Sequence, residues 1–382
     1  MGPLANSLND GRKDRGAPLG MANMLGETRG LSLLAHTVGR AQYIAQDGTL
    51  YISRGYKVYR SKDAGTTWGL DAAIPADFTK RFLARFRYSS RLLRYYIAGL
   101  GILSDGTRLV IARDGIYRAP YGSSKMDRVF RIVRGSRPLN LGVGRENRVV
   151  FGEYGWNRER SEIFIYVSDD EGRSFQVGYV FKPGEIRHVH NVVYDPFLDR
   201  YWVLAGDFGK EPGIGLLERD FTRLEWLARG DQMARAVGVI VEPDYLLFGT
   251  DSELQQNYII RMDKASGTLH KLRPVEGTSL FAARFGPARA ISICVEPSRV
   301  NRERNSKLYA SRDGEAWAPL CGYPKDFLPF LFFQYGTLVL PQSVCARPIG
   351  MYSGQAVSGL DNRACVVSFD DPKASPDPLR AC

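Results

Sequence analysis

The sequence predicts an all-β protein assembled from short strands, and three observations support this fold class. Alternating apolar stretches of strand length recur throughout the 382 residues. The chain contains 40 glycines and 20 prolines, which suit many tight turns. Helical periodicity is nearly absent outside residues 78–96. Together these features favour repeated antiparallel strands over an α/β arrangement.

Three of the predicted turns share one sequence pattern. Residues 61–68 (SKDAGTTW) carry the fullest copy, residues 168–175 (SDDEGRSF) the second, and residues 311–317 (SRDGEAW) a third that is one residue shorter. Each copy follows an alternating apolar stretch that ends in tyrosine. In such a turn Ser and Asp side chains bond the nearby backbone, glycine accepts a positive φ, and the closing aromatic packs between sheets. The pattern therefore indicates a structural turn and says little about chemistry.

The pattern resembles the Asp-box, or BNR repeat, of sialidase-like β-propellers. This resemblance implies a ring of four-stranded blades, with the Asp-boxes on the face opposite the ligand-binding mouth. It covers most of the chain as a fold but does not carry over the sialidase active site, because no Arg-Ile-Pro element precedes the first unit and no arginine triad can be assigned. Tyr352 lies in a segment that faintly resembles the C-terminal tyrosine segment of the family.

A longer unit also recurs and predicts the number of blades. Residues 47–54 align with residues 105–113, and an apolar strand followed by glycine and an acid returns at several later positions. These anchors divide residues 31–325 into six units of roughly forty to sixty residues, the size of a four-stranded blade. The remaining stretch is either a seventh blade or the strands that close the ring with the N-terminal segment. We predict a six-bladed β-propeller of four-stranded antiparallel blades, with seven blades as the alternative.

The predicted domain organisation is one propeller between two tails. Residues 1–30 read as a flexible N-terminal tail, residues 31–370 as the propeller, and residues 371–382 as a C-terminal tail. The interleaved arginines and apolar residues of the segment 80–94 predict an amphipathic insert packed on the propeller.

The amino-acid composition limits which kinds of partner and which cellular compartment we expect. Lys and Arg total 52 against 41 for Asp and Glu, a balance that favours an anionic glycan or polysaccharide as the partner. Nucleic acid is disfavoured because the basic residues are dispersed and form no single stripe. No apolar run reaches membrane-spanning length and no leader is visible, so we expect no membrane partner and a soluble, cytoplasmic location. A secreted or periplasmic location remains the alternative.

The blade layout implied by the resemblance brings two sets of residues to the mouth, where first strands begin and second strands end. The ends of the second strands supply acids, namely Glu153, Asp207, Asp251 and Glu296. The starts of the first strands supply mainly basic residues, namely His36, Arg94, Arg137, Arg187, His188, His190, Arg235 and Arg284. We therefore expect a mouth lined by arginines and acids, provided that the strand register holds.

Two of the four histidines lie at i and i+2 in the segment 184–195. On a strand this spacing places His188 and His190 on one face, toward the channel. The pair could ligate a divalent cation with Asp207 or Glu153, or one histidine could act as general base in uronate β-elimination with Tyr154 as the acid. Alternatively both could hydrogen-bond sugar hydroxyls, or only order the turn into the strand.

These observations predict a carbohydrate-active protein that binds and cleaves an anionic glycan. Glycoside hydrolysis by two rim carboxylates and elimination by a uronate lyase both remain open. The alternative is a non-catalytic glycan-binding or protein-interaction propeller, because a fold does not determine function. A divalent cation is the one cofactor left open, since the five cysteines form no CxxC pair. The candidate catalytic residues are His188, His190, Glu153, Tyr154 and Asp207, and the candidate substrate-binding residues are Arg94, Arg137, Arg187, Arg235, Asp251 and Tyr352.

Overall fold

The computed structural model describes residues 31–369, and it is a β-propeller. Within that range the strands form seven sheets, six with four strands and one with a fifth strand added. The all-β, four-stranded antiparallel prediction is confirmed, and the blade number is the seven that the sequence left as the alternative to six. The predicted tails at 1–30 and 371–382 lie outside the described residues.

The first three blades follow one another along the chain after an initial strand, β1 (Ser32–Val38). The first blade contains β2 (Arg40–Ile44), β3 (Leu50–Arg54), β4 (Lys57–Ser61) and β5 (Gly69–Ala73). The second blade follows helices α1 (Phe78–Leu83) and α2 (Arg87–Leu93) and contains β6 (Gly99–Ile102), β7 (Arg108–Ala112), β8 (Gly115–Ala119) and β9 (Asp127–Arg131). The third blade contains β10 (Gly142–Val143), β11 (Val149–Gly152), β12 (Ile163–Ser168) and β13 (Gln176–Phe181).

The next three blades repeat this order. The fourth contains β14 (Val189–Asp195), β15 (Arg200–Ala205), β16 (Gly213–Leu217) and β17 (Leu224–Arg229). The fifth contains β18 (Ala236–Val241), β19 (Tyr245–Thr250), β20 (Asn257–Asp263) and β21 (Leu269–Val275). The sixth contains β22 (Ser279–Phe285), β23 (Ala288–Ile293), β24 (Asn305–Ser311) and β25 (Ala318–Pro324).

The seventh blade combines the two ends of the described chain. After helix α3 (Phe330–Phe333) come β26 (Thr337–Val339), β27 (Gln342–Ser343), β28 (Ile349–Gln355) and β29 (Arg363–Ser368). β27 pairs in parallel with β2 of the first blade. β1 pairs antiparallel with β29, so the N-terminal strand is the outer strand of the last blade. The last stretch is therefore a seventh blade and also the closing segment, two roles that the sequence analysis treated as alternatives.

The three shared turns have the same hydrogen bonds from backbone N–H groups to the Ser and Asp side chains, and the two turns that end in Trp add an indole hydrogen bond. In the first turn Ser61 Oγ accepts from Gly65 N at 2.9 Å, and Asp63 Oδ1 accepts from Thr67 N at 2.9 Å. The indole Nε1 of Trp68 donates to the Gly65 carbonyl at 2.9 Å. Gly65 has a φ of 88°, and a Cβ there would lie 2.8 Å from a side-chain atom of the seventh blade. All three turns join third to fourth strands, on the face opposite the mouth.

Apolar side chains from facing sheets form the core between adjacent blades. Trp202 and Phe248, in the second strands of the fourth and fifth blades, are fully buried in one such cluster. Burial of two side chains of this size contributes several kcal/mol of hydrophobic free energy. Each blade is thus stabilised mainly by apolar packing against its two neighbours. The closed ring of blades fixes where the loops lie on its two faces.

The predicted insert is present as α1 and α2, and Ala84 between the two helices packs against the core of the first two blades. Phe82 and Phe86 are about half exposed, and their rings contact each other edge to face. The insert is also held by Arg91 of α2, which forms ion pairs with Asp326 and Asp361 of the last-blade loops. No helix of the described chain is long and apolar enough to cross a bilayer.

A buried ion pair connects the fourth and fifth blades at the face opposite the mouth. Lys264 Nζ lies 2.6 Å from Asp195 Oδ2, and the two side chains are 5% and 0% exposed. Trp202 Nε1 also donates to Asp195 Oδ2, at 2.7 Å. The Asp195 carboxylate is therefore fully removed from water, and its charge is stabilised by Lys264 and the Trp202 indole.

We expect Lys264→Met to lower the free energy of unfolding by about 3–5 kcal/mol, because it leaves a buried carboxylate without its counter-charge. Chemical denaturation measures the effect. The matched control is Lys125→Met, which removes an exposed partner of Asp127 and should change stability by less than about 1 kcal/mol. Equal losses in the two variants would contradict a structural role for the buried pair.

Candidate functional site

One rim of the propeller collects the starts of the first strands and the ends of the second strands. His188 and His190 stand at the start of β14, Asp207 follows β15, and Arg235 precedes β18. Asp251 follows β19 on the same rim. The antiparallel order of each blade produces this convergence, because a hairpin returns the second strand to the face where the first began.

The two imidazoles and one carboxylate form a compact, buried cluster. The ring centroids of His188 and His190 are 4.9 Å apart. Asp207 Oδ1 lies 3.1 Å from His190 Nε2, and Asp207 Oδ2 lies 3.4 Å from His188 Nε2. The candidate ligand atoms of the three residues all lie within 4.8 Å of one another. The i, i+2 spacing therefore does place both rings on one face.

The hydrogen bonds of the other ring nitrogens set the tautomers. His188 Nδ1 lies 2.9 Å from the Gly155 carbonyl oxygen, and His190 Nδ1 lies 2.9 Å from the Ala236 carbonyl oxygen. Because a carbonyl oxygen only accepts, each Nδ1 carries a proton and donates it. The Nε2 atom of a neutral ring then presents a lone pair to Asp207.

The Nε2 lone pair of a neutral ring repels a carboxylate, so a ring proton or a bound cation must lie between each imidazole and Asp207. Burial lowers the pKa of His190, which favours its neutral ring. Burial alone would raise the pKa of Asp207, but the contacts with His188 and His190 hold it well below its usual range. Imidazole nitrogens oriented by backbone carbonyls and an ionised carboxylate are an ordinary donor set for a divalent transition metal. This cluster is termed the cation centre below.

Arg235 connects the cation centre to the acids of the next blades. Its Nη2 lies 3.2 Å from Asp207 Oδ1, and its Nε lies 3.5 Å from Asp251 Oδ2. Glu253 Oε2 lies 4.0 Å from the same Nη2. The guanidinium is buried and surrounded by carboxylates, an arrangement that suits positioning of Asp207 better than contact with a substrate.

A second pair of acids lies beside Arg235. Burial raises the pKa of Asp251 well above its usual range and also raises the pKa of Glu296. Thr278 Oγ1 donates to Glu296 Oε2 at 2.7 Å, and Tyr335 also hydrogen-bonds this carboxyl group. The mouth therefore contains an ionised carboxylate at Asp207 and a more easily protonated pair next to it.

Tyr154 lies over the two histidines. Its ring centroid is 4.6 Å from that of His188 and 6.3 Å from that of His190. Burial and the nearby acids raise the pKa of Tyr154 to about 12, so its hydroxyl keeps its proton at neutral pH. The side chain also lines a cavity of about 520 Å³ in the central channel. Tyr154 can thus present a hydroxyl to a molecule bound beside the cation centre.

Glu153 faces a different space from its neighbour Tyr154. Its carboxylate accepts from Phe164 N at 3.1 Å and from the Tyr166 hydroxyl at 3.2 Å, and Arg134 lies 3.7 Å away. This carboxylate lines a side cavity of about 310 Å³. The structure therefore does not bring Glu153 into the cation centre, although both were predicted on one rim.

The predicted arginines fall into two groups. Arg187 lies next to the cation centre, with its guanidinium 5.0 Å from the Phe208 ring centroid. Arg94 and Arg137 lie on the other side of the mouth, around Tyr96. All three arginines were predicted to bind substrate together. In the structure they lie on different blades.

Three residues that the sequence analysis placed at the mouth lie elsewhere. Tyr352 is buried in β28, and its hydroxyl is 3.4 Å from that of Tyr323 in the core between the last two blades. His36 belongs to β1, the outer strand of the seventh blade. Arg284 lies near the end of β22, where it pairs with Glu242 at the opposite face.

Several mouth residues were not predicted from the sequence. Arg40 begins β2 at the mouth, a position that could have been found by counting back from the turn at Asp47. Tyr96, Gln334 and Tyr335 lie in loops that precede first strands. These loops carry no sequence pattern, because their positions depend on how the insert and α3 pack against the ring.

Comparisons with known proteins support the fold. No family model and no curated protein matches the chain. Among solved structures it is similar to an oligogalacturonate lyase in complex with manganese, with 9% identity over 91% of this chain and 95% of that chain and a TM-score of 0.58. It is also similar to an oligogalacturonate lyase from Vibrio parahaemolyticus, with 10% identity over 92% and 97% of the two chains and a TM-score of 0.57. The WD40 propeller domain of Doa1 gives 14% identity, coverage of 91% and 100%, and a TM-score of 0.55.

At these identities the likeness shows the propeller fold alone. The neighbours include enzymes and a WD40 domain, so the fold does not choose between catalysis and binding. The predicted resemblance to sialidases stays a prediction.

The cation centre predicts metal-dependent stability. Adding Mn²⁺ or Zn²⁺ at about 100 times its dissociation constant should stabilise the fold by about 2.7 kcal/mol and raise Tm by roughly 4 °C. The shift should vanish in His190→Ala and Asp207→Asn, each compared with its own metal-free Tm. His270→Ala is the matched control, because His270 is exposed on β21. An unchanged Tm of the unmodified protein with both metals would refute the cation centre.

Proposed function

We propose that this propeller binds an acidic polysaccharide at its mouth with the help of a divalent cation and cleaves it by β-elimination. The observation that carries the proposal is the buried cluster of His188, His190 and Asp207, with the Tyr154 ring packed against it at a tilt. The oligogalacturonate lyases share only a fold with this chain, so the proposal rests on these side chains and not on the likeness.

The cation centre suits a sugar that carries a carboxylate. A metal held by two imidazoles and one carboxylate keeps open positions, and when bound it supplies a positive charge that attracts a substrate carboxylate and acidifies the neighbouring C–H bond. Arg187 precedes His188 and lies over the Phe208 ring, as Arg235 does, and its Nε is buried without a hydrogen-bond partner. Arg235 holds Asp207 in place, so the centre is oriented before substrate arrives.

Tyr154 suits the role of proton donor in elimination. Cleavage of the C4–O4 bond leaves an alkoxide that must take up a proton. The Tyr154 hydroxyl is protonated at neutral pH and lines both the central cavity and the side cavity. With both Nδ1 atoms bonded to carbonyls and both Nε2 atoms directed at Asp207, the histidines suit ligation. The proton that leaves C5 is then taken up by a solvent water in the central cavity, while Tyr154 supplies the proton that O4 gains.

One observation favours hydrolysis as the second candidate. Asp207 is ionised while burial keeps the adjacent Asp251 more easily protonated, and Arg235 touches both. Two carboxyl groups with separated pKa values are the arrangement that glycosidases use for acid and base roles. Binding without turnover is the third outcome that the same experiment resolves.

The test is incubation with polygalacturonate and Mn²⁺, following the ultraviolet absorbance of the unsaturated uronate and, in parallel, the reducing ends. We expect both signals to rise together. Reducing ends without the absorbance would establish hydrolysis, and binding without either signal would establish a non-catalytic module. Either result would overturn the lyase proposal.

Tyr154→Phe should lower the elimination rate by roughly 10²- to 10⁴-fold, the usual contribution of a general acid. It should leave the metal-induced rise in Tm intact, because the ring still packs on His188. The matched control is Tyr121→Phe, since Tyr121 is 73% exposed. A variant at Tyr154 with full activity would remove this residue from the mechanism.

A further inference from the structure

The geometry points to a second binding site at the mouth that takes an organic carboxylate, formed by Arg40 and Arg137 against Tyr96, with Arg94 two residues before that tyrosine in the chain. We call it the arginine pocket. The inference rests on the proposed function for the identity of the ligand, a uronate, and on the structure for the pocket itself.

The pocket is built from elements of three different blades. Arg40 begins the first strand of the first blade, Arg94 and Tyr96 follow helix α2 before the second blade, and Arg137 precedes the third blade. The Arg137 guanidinium carbon lies 4.8 Å from the Tyr96 ring centroid, and that of Arg40 lies 5.4 Å away. Arg137 Nη2 donates to Tyr96 Oη at 2.8 Å. Gln334, from the loop before the seventh blade, donates to the same oxygen.

The pocket has an excess of positive charge. No carboxylate forms an ion pair with Arg40, Arg94 or Arg137 in the part of the chain from 31 to 369, although most other mouth charges are paired. Arg40 Nε is buried and has no hydrogen-bond partner. Burying like charges without counter-charges costs free energy, and proteins retain such an arrangement chiefly where a ligand supplies the missing charge.

The protonation behaviour of the pocket agrees with this geometry. Burial lowers the pKa of Arg40 to about 10, and it also lowers that of Arg94. Burial alone would raise the pKa of Tyr96, but Arg137, Arg40 and Arg94 lower it to about 8. The phenol is therefore the group that partly neutralises the arginines when no anion is bound.

Arg40 and Arg137 of the arginine pocket line one channel with Tyr154, whose ring packs against His188 of the cation centre. The cavity that these residues share has a volume of about 520 Å³. A ligand with one carboxylate at the cation centre can therefore extend its next acidic group toward the arginines. The structure thus favours an oligomer with a carboxylate on successive sugars over a chain with a single terminal acid.

Tyr96 supplies a direct readout that does not depend on turnover. A carboxylate bound to the arginines cancels part of the field that lowers the pKa of Tyr96. Monitoring tyrosinate absorbance against pH, we expect galacturonate to raise the midpoint of the low-pH tyrosine phase by roughly one pH unit, and galactose to leave it unchanged. Tyr96→Phe identifies the phase by removing it. An unshifted midpoint with saturating galacturonate, or a shift with inorganic phosphate alone, overturns the carboxylate site.

Variants separate a binding role from a structural one. Arg40→Gln and Arg137→Gln should each weaken galacturonate binding by roughly 10- to 100-fold, since each removes a charge-assisted hydrogen bond. Because each also removes an unpaired charge, neither should lower Tm. The matched control is Arg85→Gln, an exposed arginine of the insert, which should leave galacturonate binding unchanged. Unweakened binding in both pocket variants overturns the assignment.

His190→Ala separates this inference from the proposed function. The variant lacks the cation centre but retains the arginine pocket, so galacturonate should still shift the Tyr96 midpoint while metal-dependent cleavage is lost. If the shift persists but the unmodified protein never cleaves polygalacturonate, only the proposed function fails. If cleavage occurs without any shift, only the arginine pocket fails.

Discussion

The pairing of β1 with β29 is the constraint on which the remaining structure depends. It supplies the outer strand of the seventh blade from the opposite end of the chain and closes the ring. An open arc of sheets would expose two edges to association. Closure also fixes the first and seventh blades side by side, which brings Arg40 and Gln334 to the same tyrosine. The mouth is thus a product of ring closure as much as of any single blade.

Within the closed ring, charge is segregated across the mouth. The fourth, fifth and sixth blades contribute the histidines together with Asp207, Asp251 and Glu296. In contrast, Arg40, Arg94 and Arg137 of the first three blades form no ion pair with a carboxylate within residues 31–369. The charge of Asp207 is balanced by the neighbouring Arg235. The charge of the arginines around Tyr96 is balanced only in part by its phenol group. A dipolar opening of this kind orients a charged ligand before close contacts form, because oppositely charged walls attract different parts of it.

Much of the fold could be predicted from the sequence, because turns such as residues 61–68 depend on local hydrogen bonds. The i, i+2 spacing likewise predicted that His188 and His190 would share one face, with Asp207 or Glu153 as the carboxylate beside them. The blade count was less accessible, since the seventh blade takes its last strand from the N-terminus. Tyr352 was placed at the mouth by resemblance, but its environment is set by packing against Tyr323. Tyr96 could not be predicted, because distant loops assemble its surroundings.

One peptide unit joins the two sides of the mouth. Gln334 donates to Tyr96, and the next residue, Tyr335, hydrogen-bonds Glu296 on the acidic side. Gln334 has a φ of 71°, a conformation that directs consecutive side chains to different partners. A ligand that displaced this peptide unit on one side would therefore also move the residue on the other side. Binding at the two sides would then be coupled, and by thermodynamic reciprocity each ligand would alter the affinity for the other by the same factor.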